Sequence, residues 1–221
     1  MLNLLEDYIS HSLPEQSEFE TNPNLLKKVS RDGSFLPFYG NTVVFLLEDR
    51  TKEILSALQS QLYMKAGEML SQPLHPDTFH MTLHDLLNGT EPTADLCRKM
   101  EETKQQTEFL LASWRAQSLL RMKATWLFNM VNTSTVLGLA PADEETAFRL
   151  DALYTAMESI VPLGYGLTPH ITMAYFRPGR YSPEQLQSLR NALCPIDLEL
   201  ELRMDRLVYQ TFTDMNHYQS G

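Results

Sequence analysis

From residue 41 onward the chain switches between two hydrophobic periods. Asn41-Thr-Val-Val-Phe-Leu-Leu47 is an apolar, β-branched run and predicts a buried strand. Ile54, Leu55, Leu58, Leu62, Ala66 and Leu70 then recur at helical spacing, behind Thr51 as the expected N-cap. Phe79 to His84 alternates with period two and predicts a second strand. Residues 93–117 read as a long helix carrying Leu96, Met100, Leu110, Leu111 and Trp114, and Ala124 to Val131 reads as a third strand.

The same order then starts again. Thr135-Val-Leu-Gly-Leu139 resembles Thr42-Val-Val-Phe-Leu46, and a helix with Leu150, Leu153, Tyr154, Met157 and Ile160 follows it. A strand is expected from His170 to Phe176. The next helix has Ser182 as N-cap, Pro183 at its first position and Gln185 to complete a capping box, with Leu186, Leu189 and Leu193 as its stripe. Ile196 to Leu202 and Leu207 to Phe212 are the closing strands. Counted from Thr42 and Thr135, the next motif histidine comes 38 and 35 residues later. Matched spacing predicts an internal duplication: a bilobal α+β fold of two pseudo-symmetric lobes, near 40–131 and 132–213, whose antiparallel sheets face a central groove.

Residues 1–36 stand apart as an N-terminal extension. Leu2, Leu5, Tyr8 and Ile9 suit one amphipathic helix, whereas Ser12 to Pro23 is polar and proline-interrupted. An arm packed on the domain surface is expected, with a lid as the sharper alternative. Residues 214–221 are expected to be a C-terminal tail.

The two copies coincide most closely at His80-Met81-Thr82-Leu83 and His170-Ile171-Thr172-Met173. On a strand, Met81 and Leu83 point one way while His80 and Thr82 point the other; Ile171 and Met173 oppose His170 and Thr172 likewise. Residues two apart lie about 6.5 Å apart along a strand, so one imidazole and one hydroxyl can reach different atoms of a single phosphoryl group. A neutral histidine can accept a proton from an attacking water or hydroxyl while a protonated one donates to the departing oxygen. Threonine hydroxyls can hold the non-bridging oxygens as charge gathers there. One His-x-Thr alone is a chance event in many proteins; two at matched places in a repeat are not.

In these motifs the chain resembles the two-histidine (2H) phosphoesterase superfamily, defined by two His-x-Ser/Thr motifs each followed by an apolar residue, and is similar to bacterial RNA 2′-5′ ligase and cyclic phosphodiesterase-like proteins. Pro169-His170-Ile171-Thr172-Met173 is especially like the family's second motif. The resemblance covers roughly residues 40–213. It implies a bilobal fold with a central groove and metal-independent hydrolysis or transfer at a phosphodiester, with His80, Thr82, His170 and Thr172 as catalytic residues and no cofactor. Family substrates include 2′,3′-cyclic phosphate ends, ADP-ribose cyclic phosphate, 2′-5′ oligonucleotides and the 3′ ends of small RNAs; some relatives only bind nucleotides.

Charge narrows the partner. A formal net charge of −10 over 221 residues, with Lys27-Lys28 and Arg177 with Arg180 as the only short cationic clusters, disfavours a protein that tracks long nucleic acid. A small nucleotide or a short RNA end fits better. Cys97 and Cys194 lack metal-ligand spacing, the N-terminus lacks the layout of a signal peptide, and no apolar run approaches the roughly 20 residues of a membrane span, so a cytoplasmic setting is expected.

Four further residues are candidate substrate contacts. Arg177 and Arg180, in Phe176-Arg-Pro-Gly-Arg-Tyr181, are either surface charges or a phosphate clamp at the groove mouth. Tyr165, between two glycines, is either a loop tyrosine or a base-stacking platform; Phe79, Phe176 and Trp126 are more often core. His84 shares the alternation face of His80 and is expected at the groove edge. His75, His80 and His84 invite a metal reading, but strand geometry puts His80 and His84 about 13 Å apart, too far for one ion. A nucleotide-binding module without turnover is the competing function.

Overall fold

A computed structural model describes Leu2 and residues 19–220. In chain order its main elements begin β1 (Phe19–Glu20), β2 (Tyr39–Leu46), α1 (Asp49–Ala66), β3 (His80–Gly89), α2 (Ala94–Trp114), β4 (Leu120–Met130) and β5 (Ser134–Pro141). They continue with α3 (Glu144–Glu158), β6 (His170–Tyr175), β7 (Arg180–Tyr181), α4 (Pro183–Ala192), β8 (Pro195–Leu202), β9 (Leu207–Asp214) and β10 (His217–Ser220). The expected capping box forms: the Gln185 amide N–H donates to the Ser182 hydroxyl and the Ser182 N–H donates to the Gln185 side chain. Thr51, by contrast, lies inside α1, because the helix starts after Glu48 and so earlier than expected.

Eight strands form one antiparallel sheet in the order β10-β9-β2-β3-β6-β5-β4-β8. Its two four-stranded halves meet at a single residue pair, Met81 opposite Ile171. The duplication is visible in the pairing register. Phe45, Val44, Val43 and Thr42 face Met81, Thr82, His84 and Asp85, just as Leu137, Val136, Thr135 and Ser134 face Ile171, Thr172, Ala174 and Tyr175. Both motif strands therefore carry an extra residue at the same place, Leu83 in β3 and Met173 in β6, a matched pair of β-bulges.

The halves of the sheet are not the halves of the sequence. β4 pairs with β5 and β8, while β9 returns to pair with β2. A boundary at 131/132 falls inside the β4–β5 hairpin. There Thr133 N–H donates to the Met130 carbonyl at 2.9 Å, with Val131 and Asn132 at φ 44° and 60°. Two successive positive φ values make the tight primed turn that joins neighbouring antiparallel strands, so β4 must run straight into β5. Positions 217–220, expected as tail, instead add β10 to the sheet edge beside β9.

Met81, Leu83, Ile171 and Met173 are fully buried and belong to one core cluster that spans both halves. Helix α1 packs against α4 and β6, and α2 against β3 and β9. The arm behaves as a packed strap over its described part: Phe19 is buried edge-on against Phe176, ring centroids 5.1 Å apart, and β1 pairs with β7. The amphipathic helix expected around Leu5, Tyr8 and Ile9 lies outside the described residues.

Candidate active site

The single bridge between Met81 and Ile171 decides where the motif side chains stand. In an antiparallel pair it sets His80 across from Thr172 and Thr82 across from His170, so the two histidines occupy one diagonal of a four-residue square. For regular strands that diagonal is about 8 Å between Cα atoms, room for one phosphoryl group between two imidazoles. All four side chains line one groove of about 460 Å³.

The imidazoles are held in the same way. His80 Nδ1 lies 2.7 Å from the Thr78 carbonyl oxygen, and His170 Nδ1 lies 2.7 Å from that of Thr168. A carbonyl only accepts, so each Nδ1 carries the hydrogen and each Nε2 is left without a partner among the described residues. The two carbonyls sit two residues upstream of their histidines, at matched places in Thr78-Phe-His-Met-Thr82 and Thr168-Pro-His-Ile-Thr172. Thr82 and Thr172 also have no hydrogen-bond partner among the described residues. Burial pulls His80 down from 6.5 to about 4, against opposing pulls from the Thr78 carbonyl and the Asp85 carboxylate. His170 is lowered by the same desolvation, again opposed by its carbonyl and by Asp85. At neutral pH each free imidazole thus offers an Nε2 lone pair to the groove.

Of the further candidates, the structure brings Tyr165 to the groove, 60% exposed. The two arginines are not among its lining. Arg177 Nε donates to the Arg31 carbonyl at 3.2 Å, and Arg180 pairs with Glu20 of β1 at 3.2 Å. Of the two readings, the surface-charge one fits and the clamp at the groove mouth is corrected: the β6–β7 loop turns toward the strap, and the strap's own groups engage both guanidiniums. His84 also borders the groove, but as a buried residue and not an exposed edge: the bulge at Leu83 breaks the alternation, so His84 is 1% exposed, its Nε2 2.9 Å from the Glu158 carboxylate and its ring 5.1 Å from Tyr154. Phe79 and Phe176 are core, and Trp126 packs beside Phe128 and Val136. Among the described residues no three His, Cys, Asp or Glu side chains gather as a metal-binding group.

Other groove residues lay outside the sequence reading. The same bulge that buries His84 turns Asp85 onto the groove face, and its β6 counterpart turns Tyr175 there. Tyr218 of β10 meets the His80 ring edge-on at 5.1 Å. Lys28 of the strap lies 4.8 Å over the Phe38 ring and 5.9 Å from that of Tyr175. The bulges could have been suspected from the period break in His80-Met-Thr-Leu-His-Asp-Leu86, where two polar residues fall side by side. Nothing local marks Tyr218; Lys28 stands out in the sequence as half of the Lys27-Lys28 cluster, but nothing there ties it to the groove.

No family model and no curated protein matches the chain. Solved structures do. A conserved Agrobacterium tumefaciens protein of unknown function is 19% identical, covers 97% of this chain and 96% of its own, and superposes with a TM-score of 0.64. E. coli LigT in its apo form is 14% identical over 84% of this chain and 95% of its own, with a TM-score of 0.50. The chain has the LigT fold. A Thermus thermophilus protein shares it at 13% identity and a TM-score of 0.51, over 82% of this chain and 94% of its own. The LigT fold agrees with the two-histidine phosphoesterase resemblance carried by the motifs, and with the expected antiparallel α+β architecture.

Proposed function

We propose that the protein is a phosphodiesterase that cleaves a cyclic nucleotide or a short RNA-derived phosphodiester by paired-histidine acid–base catalysis, without a metal. The observation that carries this reading is the matched imidazole pair: neighbouring strands, identical 2.7 Å Nδ1–carbonyl contacts, and two Nε2 atoms in one groove with no partner among the described residues. One Nε2 takes the proton of the attacking water or sugar hydroxyl as its oxygen bonds to phosphorus. The other, protonated, gives its proton to the oxygen whose bond to phosphorus breaks. Thr82 and Thr172 hydroxyls donate to the non-bridging oxygens between them. Because both imidazoles are held neutral by desolvation, the acid is charged when the anionic phosphodiester enters and offsets that cost. After one turnover the protonation states are exchanged, and a near-symmetric site needs only proton exchange with water to reset.

The groove suits a small ligand, and no helix among the described residues is long and apolar enough to cross a bilayer. The test is a screen of purified protein with chelator present, against 2′,3′-cyclic nucleotides, 2′-5′ and 3′-5′ dinucleotides and ADP-ribose cyclic phosphate. Turnover of at least one is expected to survive chelation. Activity lost to chelator and restored by zinc or manganese would contradict the metal-free reading, and binding without turnover would leave a nucleotide-binding module in its place.

A further inference from the structure

The pseudo-twofold symmetry of the site is broken at one pair of positions. Asp85 and Tyr175 are register mates, each brought onto the groove face by the bulge of its own strand, yet one is a carboxylate and the other a phenol. Asp85 makes no hydrogen bond or ion pair with any described residue, so its oxygens are open to whatever enters. On the Tyr175 side stands Lys28, placed against the Tyr175 and Phe38 rings. Among the groove's lining residues, Asp85 is the carboxylate and Lys28 the permanent cation. Asp85 is exposed to the groove, so its charge opposes a second anion placed beside it while its oxygens can accept from a hydrogen-bond donor on the substrate.

Resting on the proposed phosphodiesterase reading, we infer that Asp85 is the specificity determinant of the groove, accepting a hydrogen bond from a neutral sugar hydroxyl that flanks the scissile phosphate and excluding a second phosphate from that half. The substrate class is then a phosphodiester whose neighbouring nucleoside carries free hydroxyls, not one that is phosphorylated again close by. Carboxylates take ribose hydroxyls well because both lone-pair sets on the two oxygens accept, and hydrogen bonds to a charged acceptor are the stronger kind. The reach of Asp85 is broad: its charge acts on His80 and His170, and on Tyr154, Tyr165, Tyr175 and Tyr218. Tyr175 cannot do the same from the mirror position, since its single oxygen is uncharged. A pseudo-symmetric pair of histidines could grip a phosphodiester in either of two directions; the Asp85/Tyr175 difference selects one of them.

Two measurements on wild type, Asp85→Asn and Asp85→Glu test this. The first compares kcat/KM for a nucleoside 2′,3′-cyclic phosphate with a free 5′-hydroxyl and for the same compound carrying a 5′-phosphate. Asp85→Asn is expected to shift the ratio toward the 5′-phosphorylated substrate by about tenfold at low salt, less at high salt, while Asp85→Glu keeps the wild-type ratio. The second measures binding of inorganic phosphate and of pyrophosphate by calorimetry, which needs no turnover. Asp85→Asn is expected to tighten pyrophosphate about tenfold more than phosphate. Equal changes for both anions, an unaltered substrate ratio, or no binding of either anion would overturn the inference. If no substrate is turned over but the anion ratio moves as expected, the phosphodiesterase reading fails while the exclusion of a second phosphate by Asp85 stands.

Discussion

Desolvation of the two motif imidazoles ties the stability of the fold to pH. Above 6.5 both folded and unfolded chains hold these histidines neutral, and they contribute nothing. As the pH falls below 6.5 the unfolded chain takes up protons that folded His80 refuses until about 4, so stability declines across that window and levels off beneath it. Lowered His170 acts in the same direction. Urea denaturation followed from neutral pH down to about 4.5 should show this decline, with a shallower slope for His80→Ala; a slope unchanged by that substitution would mean the imidazole is not desolvated. Thr82→Ala and Thr172→Ala are expected to cost less in kcat than either histidine substitution, because a neutral hydroxyl is more easily replaced by water. Loss of a positioned proton carrier typically costs about 10²–10⁴. The identity of these four residues was legible in the repeat of His-x-Thr on alternating strands. Their environment was not, since the sign and size of a pKa shift depend on burial and on groups such as Asp85 that arrive from a bulge.

At the level of elements, periodicity located nearly every strand and helix of the domain, and it failed where periodicity itself fails. The bulges at Leu83 and Met173 add one residue to each motif strand, so parity predicts the wrong face beyond that point: His84 goes inward to Glu158 and Asp85 outward to the groove. Pairing across the midpoint of the chain was likewise invisible, since β4 and β9 look alike in hydrophobic pattern and only the Met130–Thr133 turn and the sheet order distinguish their partners. The bulges are held from behind. Gln59 of α1, 7% exposed, donates its side-chain amide to the Met173 carbonyl at 3.0 Å and to that of Leu74 at 3.2 Å, and the Thr42 hydroxyl donates to the His84 carbonyl at 3.0 Å. Gln59→Met keeps the volume and removes both donors, leaving a buried carbonyl unpaired in the strand that carries His170. A loss of about 1–3 kcal/mol in urea denaturation is expected; a change within about 0.5 kcal/mol would show that water or a backbone adjustment satisfies the bulge instead.

For the whole molecule, the architecture places the four motif residues at the one line where the two four-stranded halves of the sheet touch. Met81–Ile171 is the seam, and neither half alone holds both motif histidines. The duplication suggested that the two His-x-Thr strands share one groove, as they do; that they are neighbouring strands of one sheet was not legible from it. The strap from residue 19, pinned by Phe19 against Phe176 and by β1 on β7, and the final strand β10 with Tyr218 complete the walls from outside the repeat, so no repeat-based reading reaches them. The central claim is that the two histidines act as one coupled acid–base unit. Its most direct test is the dependence of kcat/KM on pH, with chelator present, for wild type, His80→Ala and His170→Ala on whichever substrate the screen identifies. Both imidazoles are lowered in the free protein, so the wild-type profile is expected to be a bell whose maximum lies below pH 6.5, its limbs belonging to the pair as a whole. Each single substitution should abolish activity or remove one limb, whereas near-normal turnover with an unchanged bell in either variant would contradict the account.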